Sequence, residues 1–350
     1  MRATRKLILA LALVAGPMAV HAQLLTDEAV TEAAVDSTPP ADLYGLSHKT
    51  PSGNTIHIFP SHTSNEGRNL VAANIGAVTP PLTYHGGPIM QSVAIYTIFW
   101  IPPTLQDGTA TGVSSKYISV LNLMLNDYPA HGIDNNNTQY YQGATPPRIY
   151  IKNVGKFGKT FTDTSAYPAS GCNDPIGGTN CITDAQMQAE ISKVIASQGW
   201  PNGGLTNIYF LFTSSGEVSC FDSSNTACAY SNYCAYHTNT TGSPAIIYAI
   251  EPYGDPNYCQ VPGQPSPNGD VFADTETTST SHELTEAITD PEPNTGWINS
   301  AGNEIGDLCA YNYGTNGWDA AKANQSWNGR FYEIQMEWDN HKAACEQIGP

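Results

Sequence analysis

Between His282 and Asp307 the chain sets one imidazole and six carboxylates, several of them spaced so that they could hold a cation. On an α-helix, His282 and Glu286 stand one turn apart and share a face. Glu283 sits beside them, where it could take a proton from water activated on that face. Glu304 offers a third, oxygen ligand 22 residues beyond His282, and Asp307 could orient the His282 ring. Asp290, four beyond Glu286, either joins the same face or caps the helix end before Pro291. The plain alternative is a polar helix face, with Glu304 and Asp307 capping a turn near Cys309. His85 and His237, both read as lying in polar loops, are further candidates to complete a ligand set. No glycine-rich phosphate loop and no GxSxG elbow occurs, and nothing points to a Ser/His/Asp triad.

These side chains need a helix from about Asp274 to Thr289, which Pro291 cannot extend. Leu284, Ala287 and Ile288 would pack its other side. Ser92–Ile101 reads as an apolar strand ended by Pro102-Pro103. Lys116–Tyr128 has helical spacing. Arg148–Val154 reads as a strand. Thr183 caps a clear amphipathic helix reaching Gln198, with Met187, Ile191, Val194 and Ile195 as its buried stripe. Asn207–Thr213 suits a central strand buried on both faces. Ala245–Glu251 and Arg330–Trp338 complete the strands, and Gln260–Asp270 is loop. This order predicts an α/β or α+β domain around a mostly buried sheet. Most of the many Trp and Tyr rings are expected in its core. Asn136 and Asn239 sit in glycosylation-type triplets, which need mean nothing in a bacterial-type protein.

The N-terminus reads as a secretory signal. Arg2, Arg5 and Lys6 precede an apolar run too short to span a bilayer, and Val20-His21-Ala22 is a small-x-small cleavage site. Residues 1–22 are therefore expected to leave, and the product to be extracellular or periplasmic. Removing those three basic residues moves the net charge from −17 to −20, which disfavours nucleic acid and anionic lipid as partners. Stable membrane insertion is not expected. Residues 23–80 read as an extension or inhibitory propeptide that admits a strand or two near Ile56–Phe59, and residues 81–350 as the ordered domain. Eight cysteines in an exported chain favour disulfides. Cys172 with Cys181 is the expected local pair. Cys309 with Cys345 is a further guess, with pairings among Cys220, Cys228, Cys234 and Cys259. No CxxC pair suggests a thiolate metal site.

The run His282-Glu-Leu-Thr-Glu-Ala-Ile-Thr-Asp290, followed by Asn303-Glu304-Ile-Gly-Asp307, resembles the active-site pair of thermolysin-like zinc peptidases (gluzincins). The resemblance covers about 30 residues. It implies a zincin-like mixed sheet with an active-site helix, and a cation on His282 and Glu304. It also implies Glu283 as general base, Asp307 behind the ligands, and a peptide or protein substrate. Glu286 stands where that family has its second histidine. One imidazole with two carboxylates is a harder set, so manganese or calcium gains ground against zinc.

A second resemblance spans roughly 82–345. Tyr84-His85-Gly-Gly-Pro88, the Ile95–Trp100 strand, Cys234-Ala-Tyr-His237, Ser266-Pro-Asn-Gly-Asp-Val271 and Thr289-Asp-Pro291 fall in the order of the phosphate-induced protein 1, or EXORDIUM-like, family. This implies a cell-wall-associated protein without established chemistry, whose partner would be a wall glycan or another protein.

Overall fold

The computed structural model describes residues 46–50, 53–73, 81–314 and 322–350. The expected signal at 1–22, Pro39-Pro40 and Trp318 lie outside them. Seven strands form one mixed sheet: β1 (Ser47–Lys49), β2 (Thr55–Pro60), β3 (Ala94–Trp100), β4 (Lys156–Asp163), β5 (Asn207–Phe212), β6 (Tyr233–Asn239) and β7 (Ile247–Glu251). Their spatial order is β1-β2-β6-β7-β5-β3-β4. Strands β4, β3, β5 and β7 are mutually parallel. Strand β6 runs antiparallel to β7, β2 antiparallel to β6, and β1 closes a hairpin on β2 at the sheet's end.

Both faces of β3, β5 and β7 are covered, which explains why these strands read as continuous apolar runs. In β5, Ile208, Phe210 and Phe212 point to one core, and Tyr209 and Leu211 to the other. The second core contains the buried stripe of helix α3 (Asp184–Gln198). There Thr183 and Gln186 form a capping box, and Gly199 ends the helix in the left-handed conformation. Helices α2 (Tyr117–Asp127) and α4 (Val271–Thr289) pack on the opposite face. A nine-residue helix, α1 (Asn65–Ala73), follows β2.

Helix α4 carries His282, Glu283 and Glu286, and its side chains from Ala273 to Thr289 are all buried. Threonine and serine are middling helix formers, yet they dominate this buried helix. Several hydroxyls are satisfied locally: Thr275 donates to Val271 O, Thr285 to Ser281 O and Thr289 to Glu286 O. Asp270 caps its start by accepting from Ala273 N at 3.2 Å.

Three expectations change. Ser47–Lys49 and Thr55–Pro60, read as part of an extension that admitted a strand or two near Ile56–Phe59, are two strands of the central sheet. Arg148–Val154 yields only the two-residue strand Ile149–Tyr150, whose side chains are half exposed, while the longer β4 follows at Lys156. Lysines, glycine and threonines on an edge strand gave β4 no apolar signal. Arg330–Trp338 divides into Arg330–Tyr332 and Glu337–Asp339, each in its own two-stranded ladder. Four disulfides join Cys172–Cys181, Cys220–Cys228, Cys234–Cys259 and Cys309–Cys345. Trp297, Trp327 and Trp338 lie in the core. No helix among the described residues is long and apolar enough to cross a membrane.

Candidate metal centre

Beneath the β2–β6 end of the sheet, three histidines and four carboxylates meet with no exposure to solvent: His57, His237, His282, Glu283, Glu286, Glu304 and Asp307. Helix α4 supplies three of them within about one turn: His282, Glu283 and Glu286. His282 Nε2 lies 3.0 Å from Glu286 Oε1, without the alignment of a hydrogen bond. The loop after α4 supplies Glu304 and Asp307. It comes so close to the helix that a Cβ on Gly306 would stand 2.6 Å from His282 Nδ1 and 2.9 Å from Glu286 Oε1. Only glycine fits there. The loop is fastened to the helix by Asp307 N donating to Glu286 Oε1 at 3.1 Å.

The strands bring the other two imidazoles, and they stand opposite each other: His57 of β2 pairs with His237 of β6 in the ladder. His57 Nε2 donates to Asp307 Oδ2 at 2.7 Å, and its Nδ1 lies 3.3 Å from Glu304 Oε1. His237 Nδ1 is hydrogen-bonded to Glu283 Oε2 at 3.0 Å and stands 3.7 Å from Glu286 Oε2, while its Nε2 is 3.7 Å from Glu304 Oε2. Two sets of donor atoms fall within 4.8 Å of one another: His57, Glu286 and Asp307, and His237, Glu286 and Glu304. Glu286 belongs to both.

The expected residues thus gather, with a changed division of labour. Glu286 and Glu304 share a site with His237 rather than with His282, which contacts Glu286 from its other oxygen. Asp307 makes its short bond to His57, and its Oδ1 is 3.7 Å from His282 Nε2. The His282 ring is held instead by Gln335, whose side-chain amide meets Nδ1 at 2.9 Å and donates to Gly306 O at 3.0 Å. Asp290 turns away from the helix face. Its carboxylate caps the following turn, accepting from Asn294 N and Gly296 N at 2.7 Å. His237 lies on a buried strand, not in a loop, and its Nε2 meets Asp290 O at 3.2 Å. His85 is outside the cluster, bonded to Thr83 Oγ1 at 3.1 Å. His57 and Gln335 were not anticipated, because each approaches from a part of the chain with no local motif.

Several donors converge without partners. His282 Nε2, Glu286 Oε2, both oxygens of Glu304 and Asp307 Oδ1 are buried and make no hydrogen bond. Unmet buried polar atoms are costly and rare. Lysine and arginine ion pairs lie elsewhere, at Asp127, Asp163, Glu190 and Glu346. The electrostatics follow. Burial, then Glu286 and Asp307, push Glu283 well up; burial and Asp307 do the same to Glu286. Burial raises Glu304 well above the carboxylate range, with Asp290 and Glu286 adding to it. Burial lowers His282 to about 4 and holds His237 well below the imidazole range. Burial also opposes protonation of His57, but Asp307 and Glu286 outweigh it and raise its pKa. A doubly positive ion among these groups would invert this balance, keeping the carboxylates ionised and the imidazoles neutral. The donors are the oxygen and nitrogen types such an ion takes.

No known protein family, curated protein or solved structure matches the chain.

Proposed function

We propose that the chain is a secreted, metal-dependent hydrolase of peptide bonds. The supporting observation is the convergence of five orphaned polar atoms, from buried helix α4 and the loop after it, beside Glu283. Glu286 and Glu304 would hold the cation, with His237 and His282 on either side. A divalent cation bound there would polarise the scissile carbonyl and acidify water. Zinc suits the imidazoles, while manganese or calcium suits the carboxylates. Glu283 would accept the proton from water and deliver it to the leaving amine. Gln335 fixes the His282 ring, and Asp307 fixes the loop by accepting from Glu304 N at 2.7 Å. The four disulfides accord with an oxidising, extracellular setting. Elemental analysis of purified protein, paired with a peptide-hydrolysis assay before and after chelation, tests this. About one divalent ion per chain and chelator-sensitive cleavage are expected. A folded, metal-free protein would refute it.

One observation favours a second reading. Every member of the centre is wholly buried, which suits an ion that only braces the fold of a wall-associated, EXORDIUM-like binding protein. Chelation would then lower the melting temperature with no catalytic loss to measure.

A further inference from the structure

Six of the seven groups in the centre come from residues 237–307. The seventh, His57, comes from the N-terminal hairpin. The donor set His237, Glu286 and Glu304 is complete without that hairpin. Yet β2 is what closes the centre. It contributes His57 to Asp307 and Glu304. It lays the Phe59 ring 4.4 Å from that of His282. It also directs Phe59 N at Glu283 Oε1, 3.2 Å away. Residues 56–59 therefore touch every carboxylate of the cluster, His57 standing 4.0 Å from Glu286.

The position of β2 in the sheet is equally specific. It lies antiparallel on β6 through Thr238↔Ile56, His237↔His57, Tyr236↔Ile58 and Ala235↔Phe59. Beyond it, among the described residues, lies only the three-residue β1. Removing the hairpin would leave β6 as an edge strand whose free backbone groups accept an extended chain. In that register the amide nitrogen of residue 59 is the atom presented to Glu283, the group that a peptide hydrolase needs beside its leaving nitrogen.

We infer that the β6 edge and the centre below it are the binding cleft for an extended polypeptide. Thr55–Pro60 lies in that cleft as a built-in occupant, and His57 blocks the cation. This rests on the hydrolase reading for its chemistry, but the cleft is tested by binding alone. The occupant is well anchored: Ile56 and Ile58 are buried on the opposite face, and Tyr311 Oη donates to Pro60 O at 2.7 Å. Displacement therefore calls for a cut in the chain after α1, followed by competition from another strand.

The experiment uses full-length secreted protein carrying a site-specific protease sequence between α1 and Thr83. After cutting, a fluorescent peptide of residues 53–62 is added in excess, and release of the N-terminal fragment, peptide anisotropy and hydrolysis of a quenched peptide are followed. The fragment should exchange for the labelled peptide, and the same peptide with His57→Ala should bind about tenfold more weakly. Hydrolysis should rise about tenfold or more once the fragment and the displacing peptide have both been removed. Uncut His57→Ala protein should keep its metal and hydrolyse no faster than the uncut parent, because the strand still fills the cleft. Circular dichroism and intact disulfides certify its fold, and His57→Gln serves as a second variant. A fragment that excess peptide cannot displace overturns the inference, as does loss of metal from folded His57→Ala and His57→Gln, which would make His57 a permanent ligand. Peptide exchange without hydrolysis in any form upholds the cleft and refutes the hydrolase reading instead.

Discussion

Asp307 Oδ2 accepts a hydrogen bond from His57 Nε2 at 2.7 Å across 250 positions of sequence. The same oxygen accepts from Glu304 N at 2.7 Å, so one carboxylate ties the N-terminal strand to the loop that carries Glu304. Replacing Asp307 with Asn keeps the shape but weakens both bonds. Cation affinity should fall about 10–100-fold, as when other supporting groups around metal ligands are removed. Calorimetric titration of chelator-treated protein with zinc and manganese measures it. Unchanged affinity would make Asp307 a purely structural tie.

Glu283→Gln is expected to retain the cation and lose hydrolysis by about 10²–10⁴-fold, since an amide cannot take the proton. Metal content and turnover measured on one preparation check this. Loss of the metal along with activity would place Glu283 among the ligands.

Gly306→Ala should disrupt the centre from outside the ligand set. Its new methyl would stand 2.6 Å from the His282 ring and 2.9 Å from Glu286, forcing the loop off the helix. Weaker metal binding and a melting temperature lowered by several degrees are expected, corresponding to about 1–3 kcal/mol for overpacking. Calorimetry of metal-loaded and chelated forms reads both.

Away from the centre, burial raises Glu217 from its model-compound value of 4.5 to about 8, with a hydrogen bond from Gln106 acting in the opposite direction. The folded state therefore holds a proton that the unfolded chain releases near pH 4.5. This contribution to stability is complete below pH 4.5 and is lost progressively up to about pH 8, then stays constant. Glu217→Gln removes the ionisation. It should raise stability at pH 8 by roughly 1–3 kcal/mol and leave pH 4 unchanged. Melting curves of both proteins across that range decide it; parallel curves would sink the assignment.

The Cys309–Cys345 bridge closes a loop of sequence separation 36 and ties the turn after Asp307 to the C-terminal ladder. Replacing both cysteines with Ala should cost about 2–5 kcal/mol, read as a lower midpoint in urea.

Helix α4, helix α3 and strands β3 and β5 were legible in the chain because their signals are local: spacing of apolar residues, a Thr183 cap, proline stops. The one-turn relation of His282 to Glu286 is of the same kind. So is the bridge between Cys172 and Cys181, nine residues apart across a turn-rich loop. What the tertiary structure alone decided is which distant groups face that helix. His57, His237 and Gln335 have no motif around them. A histidine in Thr-Ile-His-Ile-Phe or in Cys-Ala-Tyr-His-Thr looks the same whether it faces water or a cluster of carboxylates. Strand pairing settles it, because the register that buries Ile56 and Ile58 on one face necessarily turns His57 and Phe59 to the other, onto α4. The sequence determined the helix and its row of acids. Only the folding of the N-terminal hairpin onto β6 decided that three imidazoles would meet them.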